Sequence, residues 1–166
     1  MSSIVNKLEA MQQNLDGKID GAPCFIASDR VHSWEILKNR PGTCKIAVGF
    51  SKSQARVNFP GGDITGRENQ YYYAAISRGR GLSMTRSDNL IYGTGGGRPL
   101  FELAEAMRDT LRVMRFNPLN DEPPDYVGMG EWDLQVFGID AYEVQIWVGT
   151  QMPLISSTNG QQSPII

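Results

Sequence analysis

The chain has 166 residues, of which 40% are hydrophobic and 20% are charged, and its formal net charge at pH 7 is −2. This length and composition are typical of one globular domain with a hydrophobic core, and they exclude a generally disordered chain. No apolar run approaches the roughly 20 residues that cross a bilayer, and the first residues lack the basic and apolar regions of an export signal. We therefore expect the protein to stay in the cytoplasm where it is made.

Charge is distributed unevenly along the chain. All 16 Lys and Arg residues lie in residues 1–115 together with 11 of the 18 acids, so this part carries +5. Residues 116–166 carry the other seven acids and no basic residue, so this part carries −7. The two parts either neutralise each other within one fold or present opposite charges to another subunit.

The opening segment predicts a short amphipathic helix. Ile4, Leu8, Met11 and Leu15 have helical spacing, Ser2 or Ser3 suits its N-cap, and Gly17 suits its end. Strands are predicted over residues 24–27, 43–50, 54–59 and 68–78, the last three as an antiparallel meander. One helical turn is predicted over residues 33–38, and a Gly-rich loop over residues 61–63.

Residues 79–97 form a stretch rich in Gly, Ser, Thr, Arg and Asn, which predicts a long loop. The strongest helical pattern follows over residues 99–115. Its apolar residues recur at steps of three and four: Leu100, Leu103, Met107, Leu111 and Met114. Pro99 suits the first turn, and acids near the start and arginines near the end match the helix dipole. We predict a long central helix here.

Beyond this helix, the prolines in residues 117–125 predict a linker, and strands are expected over residues 126–129 and 141–150. The second of these strands should lie deep in the sheet, although Trp147 on its polar face needs a packing partner. The sequence thus predicts an α+β fold, with a mostly antiparallel sheet packed against the N-terminal helix and the long central helix. We expect one domain over residues 1–152 and an extended tail or arm over residues 153–166.

No residue pattern indicates catalysis, a cofactor or a metal. His32 is the one histidine, and neither a nucleophile nor an orienting carboxylate lies beside it. Cys24 and Cys44 lie in apolar contexts and are predicted to be reduced core thiols. The glycines of residues 93–97 lack the Lys-Ser or Lys-Thr of a phosphate loop, so they predict a flexible loop. A ligand pocket under the loop of residues 79–97 is the least favoured interpretation.

Four arginines lie in or beside this loop with a single acid, Asp88. They suit contact with nucleic-acid phosphates, and the tyrosines of residues 71–73 suit stacking on bases. Consecutive strand tyrosines point to opposite faces, however, which halves such a stacking surface. A solvated loop, or a protein interface that pairs with the acidic part of the chain, are the alternatives.

The order of these segments resembles that of the tail terminator (tail completion) proteins of long-tailed bacteriophages. The likeness is carried by the helix SSIVNKLEAMQQNL, the strand CKIAVGF, the segment YYYAAISRGRGLS, the helix RPLFELAEAMRDTLRVMRF and the strand AYEVQIWVG. Together they cover most of residues 2–150. The long loop of residues 79–97 and the tail after Pro153 depart from the smallest members of that family.

The resemblance implies a non-enzymatic structural protein of the virion tail or neck, without a cofactor. It implies a homo-oligomeric ring, expected to be a hexamer, that ends the tail tube and joins it to the head-completion or connector protein, with DNA passing through the lumen. Head-to-tail closure would bring the basic part of one copy to the acidic part of the next. The interface candidates are four arginines and five acids: Arg78, Arg80, Arg86, Arg98, Asp121, Glu122, Asp125, Glu131 and Asp133. The alternative is a small nucleic-acid-binding module that uses residues 78–98.

Overall fold

The computed structural model describes residues 3–28, 44–58, 65–80, 85–93, 97–114 and 124–155. Within these residues the α-helices are α1 (Ser3–Leu15) and α2 (Leu100–Val113). The strands are β1 (Cys24–Ile26), β2 (Cys44–Asn58), β3 (Thr65–Gly79), β4 (Asp125–Asp133) and β5 (Ala141–Ile155). A π-helical turn (Asp88–Tyr92) precedes α2, and a 3₁₀ turn (Leu134–Phe137) joins β4 to β5.

The five strands form one mixed sheet in the order β1-β2-β3-β5-β4. β1 runs parallel to β2, and the three other neighbouring pairs are antiparallel. The prediction of a mostly antiparallel sheet is therefore confirmed. β5 lies between β3 and β4, as expected for a strand deep in the sheet, whereas β1 and β4 are the edge strands.

Both helices contribute to one hydrophobic core against one face of the sheet. The apolar stripe of each helix is buried, and so are alternate residues of β2, β3 and β5, because a strand presents every second side chain to the same face. The largest fully buried side chains of this core are those of Met11, Leu15, Ile46, Tyr72, Ile76, Leu100, Leu103, Met107, Leu111 and Ile146.

α1 confirms the predicted opening helix, and Gly17 takes a φ of +71° just beyond its end, as a helix-terminating glycine does. The predicted long central helix is not seen. α2 has 14 residues and α1 has 13, so the two are similar in length. Pro99 and Met114 take extended backbone conformations and so confine α2 to Leu100–Val113. Arg115, the predicted last residue, lies outside the described residues.

The two strands predicted over residues 43–50 and 54–59 are one strand, β2. A register shift between Phe50 and Lys52 lets the chain absorb one extra residue as a bulge instead of turning back. The predicted three-stranded meander is therefore a long hairpin of β2 and β3. β4 also runs further than the predicted strand over residues 126–129. The helical turn over residues 33–38, the loop over residues 61–63 and most of the predicted linker lie outside the described residues.

The two cysteines are free thiols, as predicted, and no disulfide joins them. Cys24 is buried in the core, and this burial raises the pKa of its thiol from 9.0 to about 12. Cys44 is half-buried at the start of β2. Both thiols therefore belong to the packing of the sheet.

Candidate functional site

Three strands of the sheet extend beyond the residues that pack against the helices. We call this extension the arm; it is formed by residues 51–58 of β2, 65–70 of β3 and 150–155 of β5. Residues 51–55 are all exposed, although alternate residues of a strand point to opposite faces. This part of β2 is therefore open to solvent on both faces, which is typical of a segment that contacts another molecule.

A network of buried side-chain hydrogen bonds connects α1 to the residues where the arm begins. Lys7 Nζ donates hydrogen bonds to Gln70 Oε1 at 2.8 Å and to Thr150 Oγ1 at 3.1 Å. The hydroxyl of Tyr72 also donates to Gln70 Oε1, at 2.9 Å. Since Gln70 and Thr150 are paired across β3 and β5, the network fixes the direction in which the arm leaves the core.

The outer edge of β2 is covered over only part of its length. β1 pairs with Ile46, Ala47 and Val48 and ends there. Beyond them no strand among the described residues pairs with the outer edge of the arm. This edge carries Lys52, which is exposed, with its Nζ 5.4 Å from the centroid of the Tyr71 ring.

β4 provides the second open edge, on the opposite side of the sheet. It pairs with β5 alone in the described part of the chain, and its apolar residues Tyr126, Val127 and Trp132 are 38%, 54% and 39% exposed. Its sequence DYVGMGEWD contains three acids, no basic residue and no proline. Exposed edge strands are usually protected by charged residues, proline, a bulge or a covering element. β4 has no proline, and its protection consists of a bulge near Val127 and its three acids, so a strand that pairs with it should carry the opposite charge.

The two open edges carry opposite charges at the same level of the sheet. The strand register places one row of residues across the sheet in the order Lys52, Tyr71, Gly149, Asp125. The row therefore begins with an exposed cation on β2 and ends with an exposed anion on β4. A sheet polarised in this way presents two different, complementary edges.

On the face of the sheet away from the helices, aromatic rings pack directly over glycines. The ring of Trp147 lies against Gly128 and Gly130 of β4, where a Cβ would come within 3.3 Å and 2.6 Å of ring atoms. The ring of Tyr73 covers Gly49 of β2 in the same way. These contacts supply the partner that Trp147 needed. Sequence reasoning missed the three glycines, for which the GMG spacing opposite an aromatic strand is the one available signal.

The same face carries a buried carboxylate that sequence reasoning also missed. Glu143 is 1% exposed, accepts a hydrogen bond from Ser77 Oγ at 3.3 Å and accepts another from Gln145 Nε2 at 2.6 Å. The bond from Ser77 joins β3 to β5, and the bond from Gln145 lies within β5. No group of three or more His, Cys, Asp or Glu residues in the described ranges could hold a metal ion.

Arg78, the first of the predicted interface arginines, is directed into the molecule. It is 3% exposed and donates to Cys44 Sγ at 3.1 Å and to the Arg98 carbonyl oxygen at 2.5 Å. Its Nη1 also lies 3.5 Å from the carbonyl oxygen of Asn89. Arg78 therefore ties the π-helical turn and the start of α2 to β3, and its side chain does not belong to an exposed basic loop.

Among the described residues, the other predicted arginines contact different partners. Arg86 forms an ion pair with Glu131, and Arg98 pairs with Asp20 at 2.8 Å and with Glu102 at 3.1 Å. The Arg98 hydrogen bond lowers the pKa of Asp20. Arg80 and Asp125 are exposed, Asp133 is half-buried, and Asp121 and Glu122 lie outside the described residues, as does His32. The Arg86–Glu131 pair shows that the basic and acidic parts partly neutralise each other within the fold.

Replacing Arg78 with Met should lower the free energy of unfolding by about 1.5–3 kcal/mol, because carbonyl oxygens bonded to a buried guanidinium lose their donor. The π-helical turn should respond most, since Asn89 Nδ2 is already buried there without a hydrogen-bond partner. Hydrogen exchange of the amides in residues 88–93 should therefore accelerate. Arg80→Met is the matched control and should change stability by less than about 0.5 kcal/mol, because Arg80 is exposed. Equal losses in both variants would contradict this role of Arg78.

No protein-family model matches the chain, and no curated protein matches it in sequence. In the described part of the chain, no helix combines the length and hydropathy needed to cross a membrane.

Proposed function

We propose that this chain is a non-enzymatic structural protein of a phage virion that assembles into a ring, expected to be a hexamer. In this role the ring ends the tail tube and joins it to the head connector. The observation that carries the proposal is the open edge of β4, which is long, partly apolar and acidic. An edge of this kind favours aggregation unless a specific partner covers it.

A closed ring requires two different surfaces on each subunit. Heterologous, head-to-tail contacts close into a ring when the rotation between successive copies allows it. The sheet has an acidic edge at β4 and a basic open edge at the arm, so one molecule carries both halves of such a contact. Its proposed partners are therefore further copies of itself, the tail-tube protein and the head-completion protein.

The arginine contacts favour this structural role over a nucleic-acid-binding module that uses residues 78–98. Arg78 is buried, and the side chains of Arg86 and Arg98 are engaged by carboxylates of the same chain. Arg80 is the exposed arginine of the set for which the described structure shows no ion pair. One exposed arginine provides little of the phosphate neutralisation on which nucleic-acid affinity depends.

The mass of the purified protein in solution tests the proposal directly. Light scattering and negative-stain images should show rings, either with the protein alone or after addition of the tail-tube protein of the same phage. A parallel titration with single-stranded DNA at low salt should show weak binding that Arg80→Ala hardly changes. A strict monomer that neither assembles nor binds tubes would overturn the proposal, and tight, salt-sensitive DNA binding would favour the alternative.

A further inference from the structure

We infer that one face of the arm binds single-stranded nucleic acid without sequence preference, through phosphate contacts and base stacking. This face is turned away from the helices, and we call it the basic face. The register builds it from three successive rows across β2, β3 and β5: Lys52, Tyr71 and Gly149; Gln54, Asn69 and Gln151; Arg56, Arg67 and Pro153. This activity goes beyond the proposed function and does not depend on ring assembly.

The register separates the charges of the arm by face. Alternate residues of a strand share a face, so Lys52, Arg56 and Arg67 all occupy positions on the basic face. The acid within the described ranges of the arm, Glu68, occupies a position on the opposite face. There it accepts a hydrogen bond from Ser53 Oγ at 2.7 Å. The basic face of the arm therefore carries three cationic residues and no acid, which suits a polyanion.

Two of these cationic residues are paired directly. Arg56 of β2 and Arg67 of β3 are partners in the antiparallel register. Like charges directly opposite each other on antiparallel strands destabilise the pairing. A phosphate group placed between two guanidinium groups removes this repulsion, because it accepts charge-assisted hydrogen bonds from both. The pair therefore indicates that this face binds an anionic partner.

The uncharged residues of the basic face favour nucleic acid over an acidic protein. Lys52 is exposed, and its Nζ lies 5.4 Å from the centroid of the Tyr71 ring, which lies against Gly149. An aromatic ring beside a cation suits a nucleotide, whose base stacks while its phosphate is neutralised. Gln54 and Asn69 add carboxamides, which donate and accept hydrogen bonds. An acidic peptide has no base that could use the ring.

The size of the basic face limits the strength of binding. Lys52 and Arg56 are four residues apart on β2, which is roughly 13 Å. Asp125 ends the row that begins at Lys52, so its charge repels phosphates from the β4 side and confines the bound strand to the arm. Three phosphate contacts on single-stranded DNA predict a slope of about −2 in log K against log salt. Binding should therefore be weak and confined to low salt.

Fluorescence anisotropy with a labelled oligothymidylate measures this binding. A tenfold rise in salt should weaken it by about 100-fold. The double variant Arg56→Gln/Arg67→Gln should bind at least about tenfold more weakly at low salt, and its slope should fall to about −0.7. Lys18→Gln/Arg112→Gln is the matched control, because it removes the same charge from exposed positions outside the arm. The control should bind as the unaltered protein does.

A stability measurement separates binding from folding. Arg56→Gln/Arg67→Gln removes a like-charge pair, so its urea midpoint should equal or exceed that of the unaltered protein. A variant that loses nucleic acid without losing stability is folded. A lower midpoint together with weaker binding would overturn the assignment, because the arginines would then support the sheet.

Tyr71 tests the stacking contact. Tyr71→Leu should weaken oligothymidylate binding by about fivefold or more, whereas Tyr71→Phe should retain it, because phenylalanine keeps the stacking ring. Polyglutamate of equal charge should compete poorly, since it offers no base to the ring. Polyglutamate that competes equally well would overturn nucleic acid as the partner in favour of an acidic protein.

Two further results would overturn the inference. One is the absence of oligothymidylate binding at low salt, and the other is equal weakening in the arm variant and its matched control. Neither result bears on the ring, because assembly is measured separately by the mass of the protein in solution.

Discussion

Replacing Leu103 with Ala should lower the free energy of unfolding by about 2–5 kcal/mol. Leu103 is 0% exposed and lies on the buried face of α2, in the core cluster that joins both helices to the sheet. The smaller side chain loses the free energy of transfer of its missing methyl groups, and neighbouring residues close the cavity only in part. Urea denaturation followed by tryptophan fluorescence measures the loss as a lower midpoint at an unchanged slope.

Val113 is the matched control on the same helix. It lies at the last turn of α2 and is 77% exposed, so Val113→Ala should change the free energy of unfolding by less than about 0.5 kcal/mol. The contrast between the two variants tests which face of α2 packs on the sheet. Comparable losses at both positions would mean that the orientation of α2 described here is wrong.

The helices and the central strand could be predicted because their signals are local. The three- and four-residue spacing of Leu100, Leu103 and Met107 defines the buried face of α2 without knowledge of its partner. The alternation of Val144 and Ile146 with polar residues places β5 in the same way. The length of β2 was not predictable, because Ser51 and Lys52 are equally typical of a turn and of a bulged strand.

The site was less predictable, because an edge strand is defined by the order of the sheet. In the sequence, Asp125, Glu131 and Asp133 are distinguished by charge alone, and nothing local shows that β5 separates β3 from β4. Arg78 illustrates the opposite problem. It ends the predicted strand over residues 68–78 and does lie in β3, but nothing local in the sequence shows that its side chain is buried and points toward the core.

The sequence left open whether the basic and acidic parts meet within one chain or between chains. Among the described residues, an intramolecular contact of this kind joins Arg86 to Glu131. It also places Lys52 and Asp125 at opposite ends of one row, where the width of the sheet separates them. Within one copy these two charges do not meet, so the charge distribution can serve the fold and an intermolecular contact at once.

Replacing Gly130 with Ala should lower the free energy of unfolding by about 1–3 kcal/mol, the range for overpacking a tight contact. The new Cβ would lie 2.6 Å from a ring carbon of Trp147, closer than two carbon atoms approach. Either the Trp147 ring must move away from Gly130 or β4 must shift away from β5. Chemical denaturation measures the loss, and near-ultraviolet circular dichroism should report a changed environment of the tryptophan.

Gly128→Ala is the matched control, since its Cβ would lie 3.3 Å from the same ring and a small adjustment accommodates it. Its effect should stay within about 1 kcal/mol, because the alanine also costs less backbone entropy on folding. In a Trp147→Phe background, Gly130→Ala should cost far less, since the smaller ring vacates the space. Equal costs in both backgrounds would show that the ring does not hold β4. Because β4 is the acidic edge in the proposed assembly, the Gly130→Ala protein should also assemble poorly when its β4 strand is displaced.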